Sequence, residues 1–203
     1  TYRGLTSIIQ FTEKYVTPFP RTVEMGHLQP ADLSDEQKKA ITTIIDSAIK
    51  AIGIDNSASH TEVKLTSSGP KVIEIGARLG GDFIASYLTK ASTGISMDRA
   101  AVQMAIGEEP DLKLTENRFS MIRYLELNLG MRVLEILPWN DLLHLPGVVF
   151  AQVFVCGGDV ISPIIHSALR PACLLVEGSS REKVIQMMEA YMPKLRNKIR
   201  LIQ

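Results

Sequence analysis

The chain has no apolar run approaching the ~18 residues that a membrane-spanning helix needs, and its start shows no charged-then-apolar leader. Neither a membrane helix nor a secretory route is expected. It holds only two cysteines, Cys156 and Cys173, with no C-x-x-C or Cys/His spacing. That excludes a disulfide scaffold and a zinc knuckle, and it reads as two buried thiols in a reducing cytoplasm. Neither sign of charge is in excess: Lys+Arg and Asp+Glu both total 22, for a formal net charge of zero. A broad nucleic-acid footprint is therefore not expected. A Walker A run, a G-x-S-x-G elbow, internal repeats and low-complexity segments are all missing, which argues against a P-loop nucleotide site and a serine nucleophile.

What remains is an ordinary globular composition over 203 residues, 45% hydrophobic and 22% charged, enough to bury one large core or two small ones. The chain begins at Thr1 in what reads as a strand already under way, so it is expected to be the C-terminal piece of a longer protein.

Residues 2–10 and 21–25 read as strands, separated by the proline-bearing loop YVTPFPR. Ser34 with Gln37 is a capping-box signature. Ile41, Ile44, Ile45, Ala48, Ile49 and Ile52 then recur at helical spacing up to Gly53, which predicts a helix over about 35–52. SHTEVKLT and PKVIEIG alternate around the turn residues SSGP at 67–70, a β-hairpin. FIASYLTKAS and SMDRAAVQMAIG read as helices stopped at Gly94 and Gly107. From Arg118 onward RFSMIRYLEL, MRVLEIL, VVFAQVFV and ACLLVEG read as strands, followed by a last helix from Ser179 with a capping box to Glu182. Its methionines are expected to fill a core. The expected organisation is α+β in two units, residues 1–112 around the hairpin and residues 113–203 a smaller, mostly antiparallel β unit closed by a helix.

The hairpin carries the chemistry. Alternation puts His60, Glu62 and Lys64 on one strand face, and Glu74, Gly76 and, in continued extension, Arg78 on one face of the next. A turn at 67–70 sets Glu62 and Glu74 opposite each other to within about one residue of register. Two opposed carboxylates repel unless something compensates. Three compensations remain open at this point: a divalent cation of the Mg²⁺ kind, a salt-bridge ladder with Lys64 and Arg78, or a solvated face. The glycines that follow Arg78 in LGGD fit a close backbone approach to a ligand as well as a strand-to-helix turn.

Residues 59–112 resemble the C-terminal half of an ATP-grasp ligase. TEVKL matches the strand of the family's first metal-binding Glu, and EIGARLGG matches its E-Φ-N/x-x-R-x-G-G run. STGISM and AIGEEPDL match the later landmarks. VEMGHLQPADL is similar to the V-E-x-G-H-x-x-P segment of the L-amino-acid ligase and carboxylate–amine ligase branch. RPACLLVEGSSREKVIQ resembles, more loosely, the edge of the family's C-terminal domain. One position departs: Gly76 stands where many members have a metal-binding Asn.

The resemblance implies the C-terminal lobe of an ATP-grasp domain, an antiparallel sheet with helices, followed by a small β-rich domain. It implies that Glu62 and Glu74 bind Mg²⁺, with Mn²⁺ as a substitute, and that Arg78 stabilises the transferring phosphoryl group. It further implies that Gly80, Gly81 and Asp82 line the substrate site, with Asp82 read equally as a helix N-cap, and that Glu24 and His27 belong to the acceptor pocket. His60 and Lys64 would support Glu62. The implied reaction joins a small-molecule carboxylate to an amine at the expense of ATP, through an acyl phosphate. Its partner would be the N-terminal half of the same protein, without which the chain is expected to be inactive; homodimerisation is left open. The alternatives are a carbamoyl-phosphate-synthase-like or purine-pathway ATP-grasp enzyme, or a non-enzymatic interaction module built on the charged strand ladder.

Overall fold

A computed structural model describes all 203 residues. They form two compact units, Thr1–Phe11 with Ala31–Glu116, and Thr12–Pro30 with Asn117–Gln203.

In the first unit, helix α1 (Asp35–Ile52) starts and stops where its sequence signals lie. The Ser34 side chain accepts from Gln37 N, and the Gln37 side chain returns the bond to the Ser34 N–H. Gly53 ends the helix in a left-handed conformation, φ 76°. Ile41, Ile45 and Ile49 form its buried stripe and gather Ile8, Phe11, Leu33 and Val63 around them. The hairpin of β3 (His60–Thr66) and β4 (Gly69–Gly76) turns more tightly than expected, through Ser67 and Ser68 alone, with Thr66 opposite Gly69.

The remaining helices of this unit are shorter than the pattern suggested. A π-helical turn at Ile84–Leu88 runs into α2 (Thr89–Thr93), and α3 spans Met97–Ala105. The wide turn follows from its entry. Asp82 and Phe83 both take left-handed backbone, φ 52° and 62°, so Leu88 N bonds Phe83 O, five residues back, at 2.9 Å. Residues 2–10 are not a strand. Arg3 and Gly4 turn left-handed, and Tyr2 and Leu5 bridge each other. Hydrogen bonds from Arg3 N to Asn56 Oδ1 and from Gly4 N to Asp55 Oδ1 then occupy this backbone instead of a sheet partner.

The second unit is a five-stranded antiparallel sheet in the order β1 (Glu13–Val16), β2 (Glu24–Gln29), β5 (Phe119–Tyr124), β8 (Ala172–Gly178), β7 (Val148–Val153). Residues 12–30 therefore group with the later part of the chain, which differs from the expected division at 112/113. The reason is pairing: Gly26 to Gln29 lie opposite Arg123 to Ser120 in register. Strand β1 also runs into the stretch read as a loop, ending at Val16, and β2 shares only Glu24 and Met25 with the strand expected at 21–25. The interior strand β8, between β5 and β7, is buried on both faces, Ala172 to Val176 being fully covered. Helix α4 (Arg181–Arg196) packs Val184, Met187, Met188 and Leu195 into the core with Leu28, Met121 and Leu174, so its methionines are core residues. Its cap lies one residue later than expected: Ser180, not Ser179, accepts from Lys183 N.

A second, two-stranded sheet pairs β6 (Arg132–Ile136) with the terminal β9 (Ile199–Ile202). Of the two thiols expected in the interior, Cys173 is buried and Cys156 is exposed, on a loop where its N–H donates to Asp159 Oδ2. No helix is long and apolar enough to cross a membrane.

Candidate functional site

Glu62 and Glu74 face each other directly across β3 and β4. Between Glu62 and Val63 the register shifts, with Ile73 as the extra residue on β4, so a bulge lies beside the acidic pair. Val63 packs toward the α1 isoleucines, and Glu62, one residue earlier, therefore belongs to the opposite face. The Glu62 side chain is 30% exposed and that of Glu74 58% exposed, which leaves both carboxylates within reach of a ligand.

Arg78 folds back on this pair. Its Nη2 lies 3.5 Å from Glu74 Oε1, and its Nη1 donates to Leu79 O at 3.0 Å. The backfold explains the glycine at the departing position. A Cβ on Gly76 would meet Arg78 Cγ and Nε at 3.2 Å, so a larger residue there would displace the guanidinium. On the other side, His60 Nε2 stands 3.9 Å from Glu62 Oε1. Lys64 faces Lys71 in register, so the hairpin sets it against another cation rather than an acid.

The two glycines after Arg78 are not equivalent. A Cβ on Gly80 would meet His60 Nδ1 at 3.0 Å and Ile84 at 3.3 Å, whereas Gly81 has open space around it. Asp82 does not cap the following turn, because the residue preceding Ile84 is Phe83, itself left-handed. The structure thus brings His60, Glu62, Glu74, Arg78 and Gly80 into one cluster of the first unit.

Glu24 and His27 belong to the second unit and are held by its own contacts. Glu24 opens β2, its carboxylate pairs with Lys14 Nζ at 3.1 Å, and its carbonyl accepts from Arg170 Nη1 at 3.1 Å. His27 is 1% exposed, with Lys14 and Ile122 as its register partners. Sequence reading missed the groups that organise this region. Arg170 is buried, stacked on the Tyr124 ring at 3.6 Å, with its Nε donating to Ser167 O. Arg123 lies across Gly26 and stacks on Tyr15 at 4.7 Å. A Cβ on Gly26 would meet Arg123 Cδ and Ile122 O at 2.6 Å, which accounts for the glycine in VEMGH. Glu13 pairs with Arg181 at 2.8 Å, and burial with a Glu13 hydrogen bond pushes the Tyr15 phenol above its ordinary value. These partners come from distant strands, so no local spacing marked them. The same unit has a cavity of about 720 Å³, lined among others by Phe19, Leu127, Phe154, Ile161 and Arg170.

No group of three or more His, Cys, Asp or Glu side chains is placed to hold a metal ion alone. The Glu62–Glu74 pair nevertheless fits Mg²⁺ in its chemistry, because that ion commonly takes one or two carboxylates and completes its shell with phosphate oxygens and water.

Residues 1–86 match the model of the ATP-grasp domain family. Alanine–anticapsin ligase of Bacillus subtilis is 32% identical over 98 residues, covering 47% of this chain and 21% of the ligase. The crystal structure of L-amino acid ligase from Bacillus licheniformis superposes with a TM-score of 0.80 at 25% identity, over 100% of this chain and 49% of that one. That of phosphoribosylglycinamide synthetase from Anaerococcus prevotii gives 0.84 at 23% identity, over 99% and 51%, a likeness of fold. The chain spans about half the length of these solved relatives and a smaller share of the curated one. Residues 1–86 are thus similar in sequence to an ATP-grasp domain, a family whose members bind ATP and Mg²⁺, and the fold of the chain is similar to that of the L-amino acid ligase.

Proposed function

We propose that this chain is part of an ATP-dependent, ADP-forming carboxylate–amine ligase. The observation that carries the reading is the direct opposition of Glu62 and Glu74 with Arg78 reaching Glu74. In the reaction, the γ-phosphoryl group of ATP passes to a carboxylate oxygen, leaving ADP. The amine then attacks the acyl carbon, phosphate departs, and the amine loses a proton. Glu62 and Glu74 would hold Mg²⁺, which when bound offsets phosphate charge. Arg78 stabilises the transferring group through its fixed positive charge and paired N–H donors.

Gly80, Gly81 and Asp82 follow on the same loop and would meet the substrate. Glu24 and His27 would serve the amine acceptor, with His60 and Lys64 supporting Glu62. Because the chain spans about half the length of its solved relatives, we infer that a preceding half of the same protein completes the cleft. We place the protein in the cytoplasm. The L-amino acid ligase and alanine–anticapsin ligase relatives support small-molecule carboxylate and amine substrates.

Calorimetry of Mg²⁺-dependent ADP binding, beside thermal melting, tests this. Glu74→Gln is expected to lose the Mg²⁺-dependent part of binding without lowering stability. The rival reading is an interaction module with a charged ladder, and the Arg78–Glu74 contact favours it. A ladder requires Glu74→Gln to lower the melting temperature and leave no ADP binding to lose; that result would sink the ligase reading.

A further inference from the structure

We propose that His60 is a positioning residue that couples the loop after Arg78 to the Glu62 carboxylate, and that Gly80 lacks a side chain so that the imidazole fits. The inference rests on the ligase reading above, in which Glu62 faces Mg²⁺.

The geometry points to this from both sides of one ring. His60 opens β3 opposite Gly76, at the end of β4, where the chain leaves the hairpin for the Arg78 loop. Its Nδ1 lies 3.0 Å from the point a Gly80 Cβ would occupy, and its Nε2 lies 3.9 Å from Glu62 Oε1. One imidazole therefore spans from the loop to the carboxylate. The ring is 17% exposed, so its position is constrained.

Behind Gly80 stands Ile84, at 3.3 Å from the same Cβ point, on the first residue of the π-helical turn. The loop is held between Ile84 and His60. Arg78 rides on that loop two residues earlier and reaches Glu74. A displacement at Gly80 therefore shifts the guanidinium relative to the carboxylates, where misplacement of about 1 Å is costly.

The test is a cycle of His60→Ala, Gly80→Ala and the double variant, read by thermal melting and by Mg²⁺-dependent ADP affinity. Each single change is expected to weaken Mg²⁺-dependent affinity by about tenfold, the usual loss for a group that orients a metal ligand. The double variant should bind within about twofold of His60→Ala alone, because the added methyl then meets a smaller side chain. His60→Gln, which keeps an N–H donor, is expected within about threefold of wild type, and His60→Leu well below it. Additive losses in both readouts, or a His60→Leu protein that binds as wild type does, would overturn the proposal. Absence of Mg²⁺-dependent ADP binding both in the wild-type chain and in that chain joined to its preceding half defeats the ligase reading instead. The melting cycle then decides the contact by itself: non-additive shifts sustain the His60–Gly80 coupling, and additive shifts end it.

Discussion

The Glu62–Glu74 pair and the Glu24–His27 pair both lie on antiparallel strands, yet their surroundings are opposite. Glu62 and Glu74 sit on a two-stranded hairpin, with side chains 30% and 58% exposed, and Arg78 Nη2 lies 3.5 Å from Glu74. Glu24 and His27 sit in a five-stranded sheet. Lys14 closes on the first at 3.1 Å, and the second is 1% exposed. A partly exposed carboxylate pair is open to a ligand that brings its own positive charge. A strand whose side chains already have close contacts is built for rigidity, and it loses stability when disturbed. The hairpin is thus the part of the molecule where substitution should change binding, and the sheet the part where it should change folding.

That contrast can be broken by experiment, starting with the largest effect. Leu174→Ala, fully buried on the interior strand β8, should cost about 2–5 kcal/mol in chemical denaturation, the range for a leucine removed from a packed core. A loss below about 1 kcal/mol would mean that the sheet tolerates change as the hairpin does.

Next comes the hairpin. Glu62→Gln with Glu74→Gln should abolish the Mg²⁺-dependent part of ADP binding, a loss of at least about tenfold, with an unchanged or raised melting temperature as the opposed charges disappear. A lowered melting temperature would make the pair structural.

Gly26→Ala is a smaller probe of the sheet. Its methyl would press on Arg123 and on the Ile122 carbonyl, and overpacking of this kind costs about 1–3 kcal/mol. The same substitution at Gly81, which has open space, should leave the melting temperature nearly unchanged.

The smallest effect is on the acid side. Asp55, held by the Gly4 and Asn56 N–H groups, and Asp141, held by Lys198, both have carboxyls below their ordinary value of 3.8. A depressed folded value adds stability above pH 3.8 that is lost as pH falls through the lower folded value. Asp55→Asn and Asp141→Asn should each flatten that acid limb in pH-dependent melting curves, and a limb of unchanged slope would show these contacts to be inconsequential.

Local patterns account for much of what was legible. Ser34 with Gln37, the isoleucine stripe and Gly53 foretold α1 because capping and 3.6-residue periodicity are properties of neighbouring residues. The turn at Ser67 and Ser68 sets the register as far as Val63 and Val72, and the bulge at Ile73 then brings Glu74 opposite Glu62. The resemblance to ATP-grasp ligases rested on the same hairpin. The π-helical turn was not legible, since FIASYL has an ordinary helical composition. Its width follows from the left-handed backbone at Asp82 and Phe83, which no side-chain pattern announced.

By itself, then, the amino-acid order determined the local elements and placed the acidic pair to within one residue of register, since caps and turns depend on residues close along the chain, while the bulge at Ile73 settled the pairing. Tertiary structure alone decided that residues 12–30 join the later sheet, because β2 finds its second partner in β5, about a hundred residues onward. It alone decided that Gly76 makes room for Arg78, Gly26 for Arg123 and Gly80 for His60. A glycine's permissiveness can be read from its letter. Which side chain occupies the space it leaves depends on strands and loops that meet only when the chain has folded.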